Sequence, residues 1–386
     1  MTILLTGATG FLGSYVADDL LHEQNAPLAV LVRAPDERGA IDKLWRAWQL
    51  HMGPERFWDA IARTRIVLGD LTAPGLGLGD GDRRLLRDSV TSILHVAASL
   101  NRRSEKACLN VNVRGTLAAL RLARTLADAG QLRRFDFVST VAVAGERQSE
   151  VVTEDEAIDW SRRDYDPYAR TKKLCEHLID ELLPDVPHTI FRPSMVIGDS
   201  RFPDTSQFDM IRAVCILADL PAVPIRPDAR QDIVPADYVG RAIATLHTRE
   251  GHGNGIYHLS AGTQSSRTTR ALSEAIFAHN PGRPPLHLPA LEGPFAAATG
   301  ALARRRRRDA VTATAAMMDV FLPYITFDTV FDNDRVVQAL GAAPPPFTEY
   351  GPATYRWAKD VGFQYPYRPL PERPARVAVP GPEASA

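Results

Sequence analysis

The sequence predicts an α/β fold, a doubly wound parallel sheet with a smaller, mostly helical region at its C-terminal end. Three observations carry this. Over the first 200 residues, short apolar runs alternate with stretches of helical periodicity. Several of those runs are nearly continuous Val, Ile and Leu, the pattern of parallel strands covered on both faces. After residue 200 the alternation stops and helical patterns dominate.

The strands are expected at ILLT (3–6), LAVLV (28–32), RIVL (65–68), SILHVA (92–97), FDFVS (135–139) and HTIFR (188–192). Helical stretches at 11–22, 103–129 and 166–182 lie between them, which implies right-handed crossovers. Residues 1–200 are read as the nucleotide-binding core and 201–365 as a substrate-binding region over the sheet's C-terminal edge. In that region a helix is expected around 207–218. QDIVPADYVGRAI reads as a short strand and then a helix, and GIYHLSAG as a late strand, so that about 232–260 returns to the core. Residues 295–322, 331–340 and 351–360 read as helical. The Pro-rich tail, 366–386, reads as extended or disordered. No internal repeat is visible.

Composition narrows the function classes. The 386 residues are 45% hydrophobic and 24% charged, an ordinary globular balance. A net charge of −1 gives no global field to attract nucleic acid. Three cysteines, Cys108, Cys175 and Cys215, show no CxxC spacing. They read as reduced thiols of a cytoplasmic protein, neither a disulfide framework nor a zinc site. No clustered His, Cys, Asp and Glu set suggests a metal. The first residues lack the basic segment and long apolar stretch of a signal peptide. No run of about 18 apolar residues offers a spanning helix, and peripheral membrane contact stays open.

The first chemical motif is TGATGFLG, which puts Gly7, Gly10 and Gly13 directly after the first strand and at the start of a helix. A tight turn needs a residue tolerant of unusual dihedrals, and a pyrophosphate needs backbone with no Cβ in its way. The helix N-terminus then offers free N–H groups to the phosphates. Thr6, Gly7, Thr9, Gly10, Phe11 and Leu12 are the expected cradle, and the sheet is accordingly of Rossmann type. At the end of the second strand, LAVLVRAP places Arg33 where a carboxylate commonly binds a ribose 2′-hydroxyl. A guanidinium suits a 2′-phosphate, so the expected cofactor is NADPH. Lys43 and Arg46 lie a helical turn or more further on and can join it. Asp36, close by, works against it.

Tyr168 and Lys172 stand at i and i+4 and share a helix face. A free phenol has a pKa of about 10, and a nearby ammonium is expected to stabilise the phenolate. Thr140 supplies a hydroxyl for the substrate carbonyl oxygen, with Ser139 as its rival. Tyr168 then donates a proton to the developing oxyanion.

The GxxGxxG spacing resembles that of the extended short-chain dehydrogenases/reductases. The resemblance continues in order through Asp70-Leu71, HVAA (95–98), NVRGT (112–116), VST (138–140), YARTK (168–172) and RPS (192–194). It implies that Asp70 and Leu71 hold the adenine, and that Ala97, Ala98, Pro193, Ser194 and Val196 line the cofactor. It also implies that Lys172 holds the nicotinamide ribose. The distance to Gly145 favours Thr140 over Ser139 as the active hydroxyl. For Asn112 it implies a bound water or a helix kink, with a structural role equally open.

Three further segments, LVRAPDERGAIDKL, GDLTAPGLGL and RPSMVIGDSR, resemble thioester reductases, namely carboxylic acid reductase terminal domains and fatty acyl-CoA reductases. The chain departs from that pattern at Phe202-Pro203 and at Val96. This resemblance implies reduction of an acyl thioester, on coenzyme A or a phosphopantetheine carrier protein, to aldehyde or on to alcohol. The alternatives are a reductase of sterol-like or flavonoid-like ketones, a sugar-nucleotide epimerase or dehydratase, and a cofactor-binding protein without turnover. The run ARRRRRD (303–309) reads as a solvated helix face, or as a surface for carrier phosphates or acidic membrane. His258 reads as a satisfied sheet-edge residue.

Overall fold

The computed structural model describes residues 2–249, 251, 255–278, 286–305 and 309–374. Seven strands form one parallel sheet: β1 (Thr2–Thr6), β2 (Leu28–Val32), β3 (Thr64–Leu68), β4 (Val90–His95), β5 (Arg134–Val138), β6 (His188–Pro193) and β7 (Gly255–Leu259). Their order is β3-β2-β1-β4-β5-β6-β7, with every neighbouring pair parallel. This is the doubly wound sheet the sequence predicts, with GIYHLSAG supplying β7 as an edge.

Strand alternation separates two apolar layers. Ile3 and Leu5 join one and Leu4 the other. The first layer gathers Trp45, Trp48, Phe57 and Tyr238 beneath helices Phe11–Asp18, Glu37–Trp48, Pro54–Ala62 and Ala236–Thr248. The second packs Phe135 and Phe137 against helices Asp80–Ser89, Arg114–Asp128 and Pro167–Leu182. A third cluster lies outside the sheet. Helices Asp209–Ala218, Thr269–Phe277, Ala310–Thr326 and Phe347–Asp360 build it around Ile211, Cys215, Met318 and Phe347. A short parallel ladder, Met195–Val196 with Ile233–Val234, ties it to the end of β6.

Local details depart from simple periodicity. The stretch expected as one helix at 11–22 is α-helical to Asp18 and then widens into a π turn, Asp19–Glu23. The stretch at 103–129 contains a second π turn, Leu109–Val113, between short helix Glu105–Cys108 and Arg114–Asp128. Asn112 lies buried in that turn and accepts from Ser99 N at 2.7 Å. The stretch at 295–322 is two helices, Glu292–Ala303 and Ala310–Thr326. The second starts on a capping box from Asp309. Arg304 and Arg305 are exposed after the first, while Arg306–Arg308 fall outside the described residues.

Of the Pro-rich tail, 366–374 runs without regular structure and 375–386 lies outside the described residues. The described part is pinned to helix Glu37–Trp48. The Arg368 carbonyl accepts from Trp45 Nε1 at 3.0 Å, and its N–H donates to Gln49 Oε1 at 2.6 Å.

Packing makes the glycines unequal. A Cβ on Gly13 would stand 2.0 Å from the Gly7 carbonyl oxygen, whereas one on Gly81, inside helix Asp80–Ser89, meets nothing within 4 Å. Gly13→Ala should therefore lose about 1–3 kcal/mol of unfolding free energy. Gly81→Ala should gain roughly 0.5–1 kcal/mol, from helix propensity and a less free unfolded chain. Urea titrations of both variants check this, and equal midpoint shifts would refute it.

Candidate active site

The carboxyl ends of β1, β4, β5 and β6 open into one cavity of about 390 Å³. It sits at the switch point between β1 and β4, where open α/β sheets bind ligands. Gly7 has φ +83°, and a Cβ there would lie 2.6 Å from Ala97 N, so only glycine fits the turn. Gly10 caps helix Phe11–Asp18 without a side chain, and the first turn carries no acid. The helix N-terminus thus keeps its donors for an anion, and this cradle fits the pyrophosphate of a dinucleotide. Thr9, Phe11, Leu12, Ala97, Ala98, Pro193, Ser194 and Val196 line the cavity with Gly7 and Gly10. Thr6 stands behind them, buried, with Oγ1 2.7 Å from His95 Nδ1 and accepting from Ala97 N at 3.3 Å. It shapes the strand ends from beneath the turn.

A second group gathers at the ends of β2 and β3. The Arg33 guanidinium is 75% exposed and 3.7 Å from Asp70 Oδ2. The Lys43 ammonium donates to the Arg33 carbonyl. Asp70 Oδ1 accepts from Thr72 N and Thr72 Oγ1, each at 2.8 Å, and these bonds hold its carboxyl below the usual range. Asp36 is engaged elsewhere, capping helix Glu37–Trp48 through Gly39 N at 2.7 Å. Leu71 borders a separate groove beside Gly115.

Thr140, Tyr168 and Lys172 all line the main cavity. Thr140 ends the stretch after β5, and Tyr168 and Lys172 share the inward face of helix Pro167–Leu182. Ser139 lies beside Thr140, but its hydroxyl donates to Glu176, which is paired with Arg192 at 2.6 Å in a buried network. The Thr140 hydroxyl accepts a 3.3 Å contact from Ala142 N and pairs with the Tyr168 side chain on the cavity side. Asn112 is a brace. Its amide bonds Ser99 N, Ser99 O and Thr171 Oγ1 (3.0 Å), joining the loop after β4 to the Tyr168 helix. His258 takes the edge role expected for it, with Nδ1 3.0 Å from Asp332 O and burial lowering its pKa to about 3.

At one point the electrostatics differ from expectation. Lys172 Nζ donates to the Val138 carbonyl at 2.7 Å and lies 4.3 Å from the Phe137 ring centroid. Burial lowers its pKa to about 8. Burial likewise pushes the Tyr168 hydroxyl up to about 12, and the cation that acts against this is Arg102, not Lys172. Desolvation is the largest influence on both buried groups.

Sequence reasoning missed Arg102. Its guanidinium carbon lies 4.7 Å from the Tyr168 ring centroid and 4.6 Å from that of Tyr324. Nη1 donates to Asp166 Oδ2 at 2.9 Å, and the Tyr324 hydroxyl donates to the same oxygen at 2.7 Å. Asp166 Oδ1 meanwhile caps the Tyr168 helix through Ala169 N at 2.8 Å. Asp166 and Tyr324 lie 64 and 222 residues from Arg102, so no local motif marks the group.

A family model described as male sterility protein, of the NAD-binding type, matches residues 5–243. The chain belongs to this family, and it is an extended short-chain dehydrogenase/reductase. It is 32% identical over 264 residues to one component of the linear gramicidin synthase of Brevibacillus parabrevis, covering 66% of this chain and 5% of that protein. It is 31% identical over 288 residues to carboxylic acid reductase of Mycobacterium tuberculosis (strain ATCC 25618 / H37Rv), covering 67% and 24%. The chain thus spans a small part of each relative. Among solved structures, the terminal R domain from the myxalamid PKS-NRPS biosynthetic pathway superposes with a TM-score of 0.79 at 26% identity. That match covers 94% of this chain and 91% of the other. Among the described residues no group of three or more His, Cys, Asp or Glu is placed to hold a metal. No described helix is long and apolar enough to cross a membrane.

Arg102→Gln should lower kcat by about tenfold or more, the effect of roughly 1.4 kcal/mol at the transition state. The dissociation constant for NADPH should hold, since Arg102 bonds none of the glycine turn. A kcat within twofold of the parent would remove Arg102 from the site's machinery.

Proposed function

We propose that the domain reduces acyl thioesters to aldehydes with NADPH. The observation that carries this is the single cavity that joins a phosphate cradle to Thr140, Tyr168 and Lys172. The gramicidin synthase, the carboxylic acid reductase and the terminal R domain support the choice of thioester. In this reading the nicotinamide cofactor supplies hydride when bound. Thr140 Oγ1 donates to the substrate carbonyl oxygen. Tyr168 keeps its proton at neutral pH, as burial dictates, and gives it to the oxyanion as the carbonyl carbon becomes tetrahedral. Lys172, anchored on Val138, orients the ribose and polarises the site. The hemithioacetal then collapses to aldehyde and thiol. The sum is acyl thioester, NADPH and a proton giving aldehyde, thiol and NADP⁺. A second hydride gives the alcohol. The acyl group rides on coenzyme A or a carrier protein, and the free, buried cysteines suit a cytoplasmic setting.

Free thiol is the decisive product. Purified protein with NADPH and a panel of acyl thioesters should release thiol in step with NADPH oxidation, and Tyr168→Phe should stop both while still binding NADPH. Oxidation with ketones and no thiol from any thioester would replace this reading with ketone reduction.

The choice of NADPH rests on Arg33, after the end of β2, and on Lys43, which reaches it from helix Glu37–Trp48. Arg33→Asp should raise the KM for NADPH and erase or reverse the preference over NADH. Equal kcat/KM for the two cofactors in the parent would end the argument.

A further inference from the structure

A second cavity opens beside the first. Thr9, Phe11, Leu100, Gln207 and Asp209 line both, so the two are continuous. Its wall carries three cations, Lys43 and Arg46 from helix Glu37–Trp48 and Arg212 from helix Asp209–Ala218. Of the described residues that line it, Asp209 alone is a carboxylate, which leaves an excess of positive charge. Among the described residues none of the three cations forms an ion pair with a carboxylate. This contrasts with Arg102, Arg147 and Arg192, which are each paired.

The two arginines are held without using their donors. Arg46 Cζ lies 4.1 Å from the Tyr367 ring centroid, and Arg212 Cζ lies 4.8 Å from that of Phe363. Both rings belong to the segment after the last helix, which Arg368 ties down on Gln49. A guanidinium held against an aromatic ring keeps its N–H fork for an anion, and that fork matches phosphate geometry. Lys43 bonds the Arg33 carbonyl, and Arg46, one turn further along the same helix, is shared with the cofactor end as well, so Arg212 is the cation that discriminates.

We propose that this basic mouth binds the phosphate of a phosphopantetheine arm while the thioester reaches the inner cavity. The inference rests on the thioester reading. The arm itself is thin and uncharged, and the inner cavity it would thread is walled by Leu100, Met210 and Phe321. Its phosphate is the one charged anchor shared by coenzyme A and carrier-bound substrates. Held at the mouth, it fixes the reach of the thioester toward Tyr168.

The test uses the full chain, NADPH and one acyl group on four handles: pantetheine, phosphopantetheine, coenzyme A and a carrier protein. The phosphopantetheine thioester should show a KM about tenfold below that of the pantetheine thioester at low salt, with the gap shrinking as salt rises. Arg212→Gln should close that gap, with the KM for NADPH unchanged. An equal loss on coenzyme A and carrier assigns Arg212 to the shared arm phosphate. A loss confined to coenzyme A assigns it to the nucleotide and overturns the proposal. So does a rise in the KM for NADPH alone, or equal KM values for the two pantetheine handles in the parent. Calorimetry with free phosphopantetheine and pantetheine separates this inference from the chemistry. Selective binding of the phosphorylated arm, lost in Arg212→Gln, upholds the mouth even if no thioester turns over. Absence of selectivity refutes it.

Discussion

The carboxylate of Asp166 ties three separate parts of the chain into one site. One oxygen caps the helix that carries Tyr168 and Lys172. The other accepts from Arg102, in the loop after β4, and from Tyr324, on the helix Ala310–Thr326. The group is nearly enclosed, with 9% of the Asp166 side chain exposed. Its charge is tolerable there because the helix N-terminus and Arg102 both oppose it. Removing the acid would strand the Arg102 guanidinium, and breaking a buried pair in this way typically costs about 3–5 kcal/mol. The sheet and the helical C-terminal region therefore meet at the main cavity through a polar latch, not through apolar packing alone.

That latch also sets the electrostatics. Burial acts on Tyr168 and Lys172 in the same sense, favouring the neutral phenol and the neutral amine. In the proposed reaction the proton donor holds its proton until the oxyanion develops, and a raised phenol pKa suits that role. The opposing influence of Arg102 keeps the rise within bounds. The neighbouring hydroxyls are separated by their partners. Ser139 is drawn into the Glu176–Arg192 network, while Thr140 faces the cavity.

Tertiary contacts also shape the second cavity. The segment after the last helix crosses back to Gln49 and places Phe363 and Tyr367 behind Arg212 and Arg46. A stretch without regular structure thereby becomes part of a cavity wall. Its order comes from backbone hydrogen bonds to Trp45 and Gln49, not from helical or strand propensity.

Much of the fold was legible in the amino-acid order, because it depends on short-range pattern. Continuous Val, Ile and Leu runs marked the buried parallel strands, and the glycine spacing marked the turn at Gly7, where no Cβ fits beside Ala97. The i, i+4 spacing of Tyr168 and Lys172 marked a shared helix face. Periodicity was blind to the π turns, one of which holds buried Asn112, bonded to Thr171, 59 residues away. It was equally blind to Arg102, whose role arises from contacts 64 and 222 residues away. The direction of the Lys172 ammonium was likewise decided by folding, which set the Val138 carbonyl within 2.7 Å of it. Local sequence marked the candidate residues. Only the tertiary structure decided which charges face them, because burial and Coulomb interactions depend on distance through space and not along the chain.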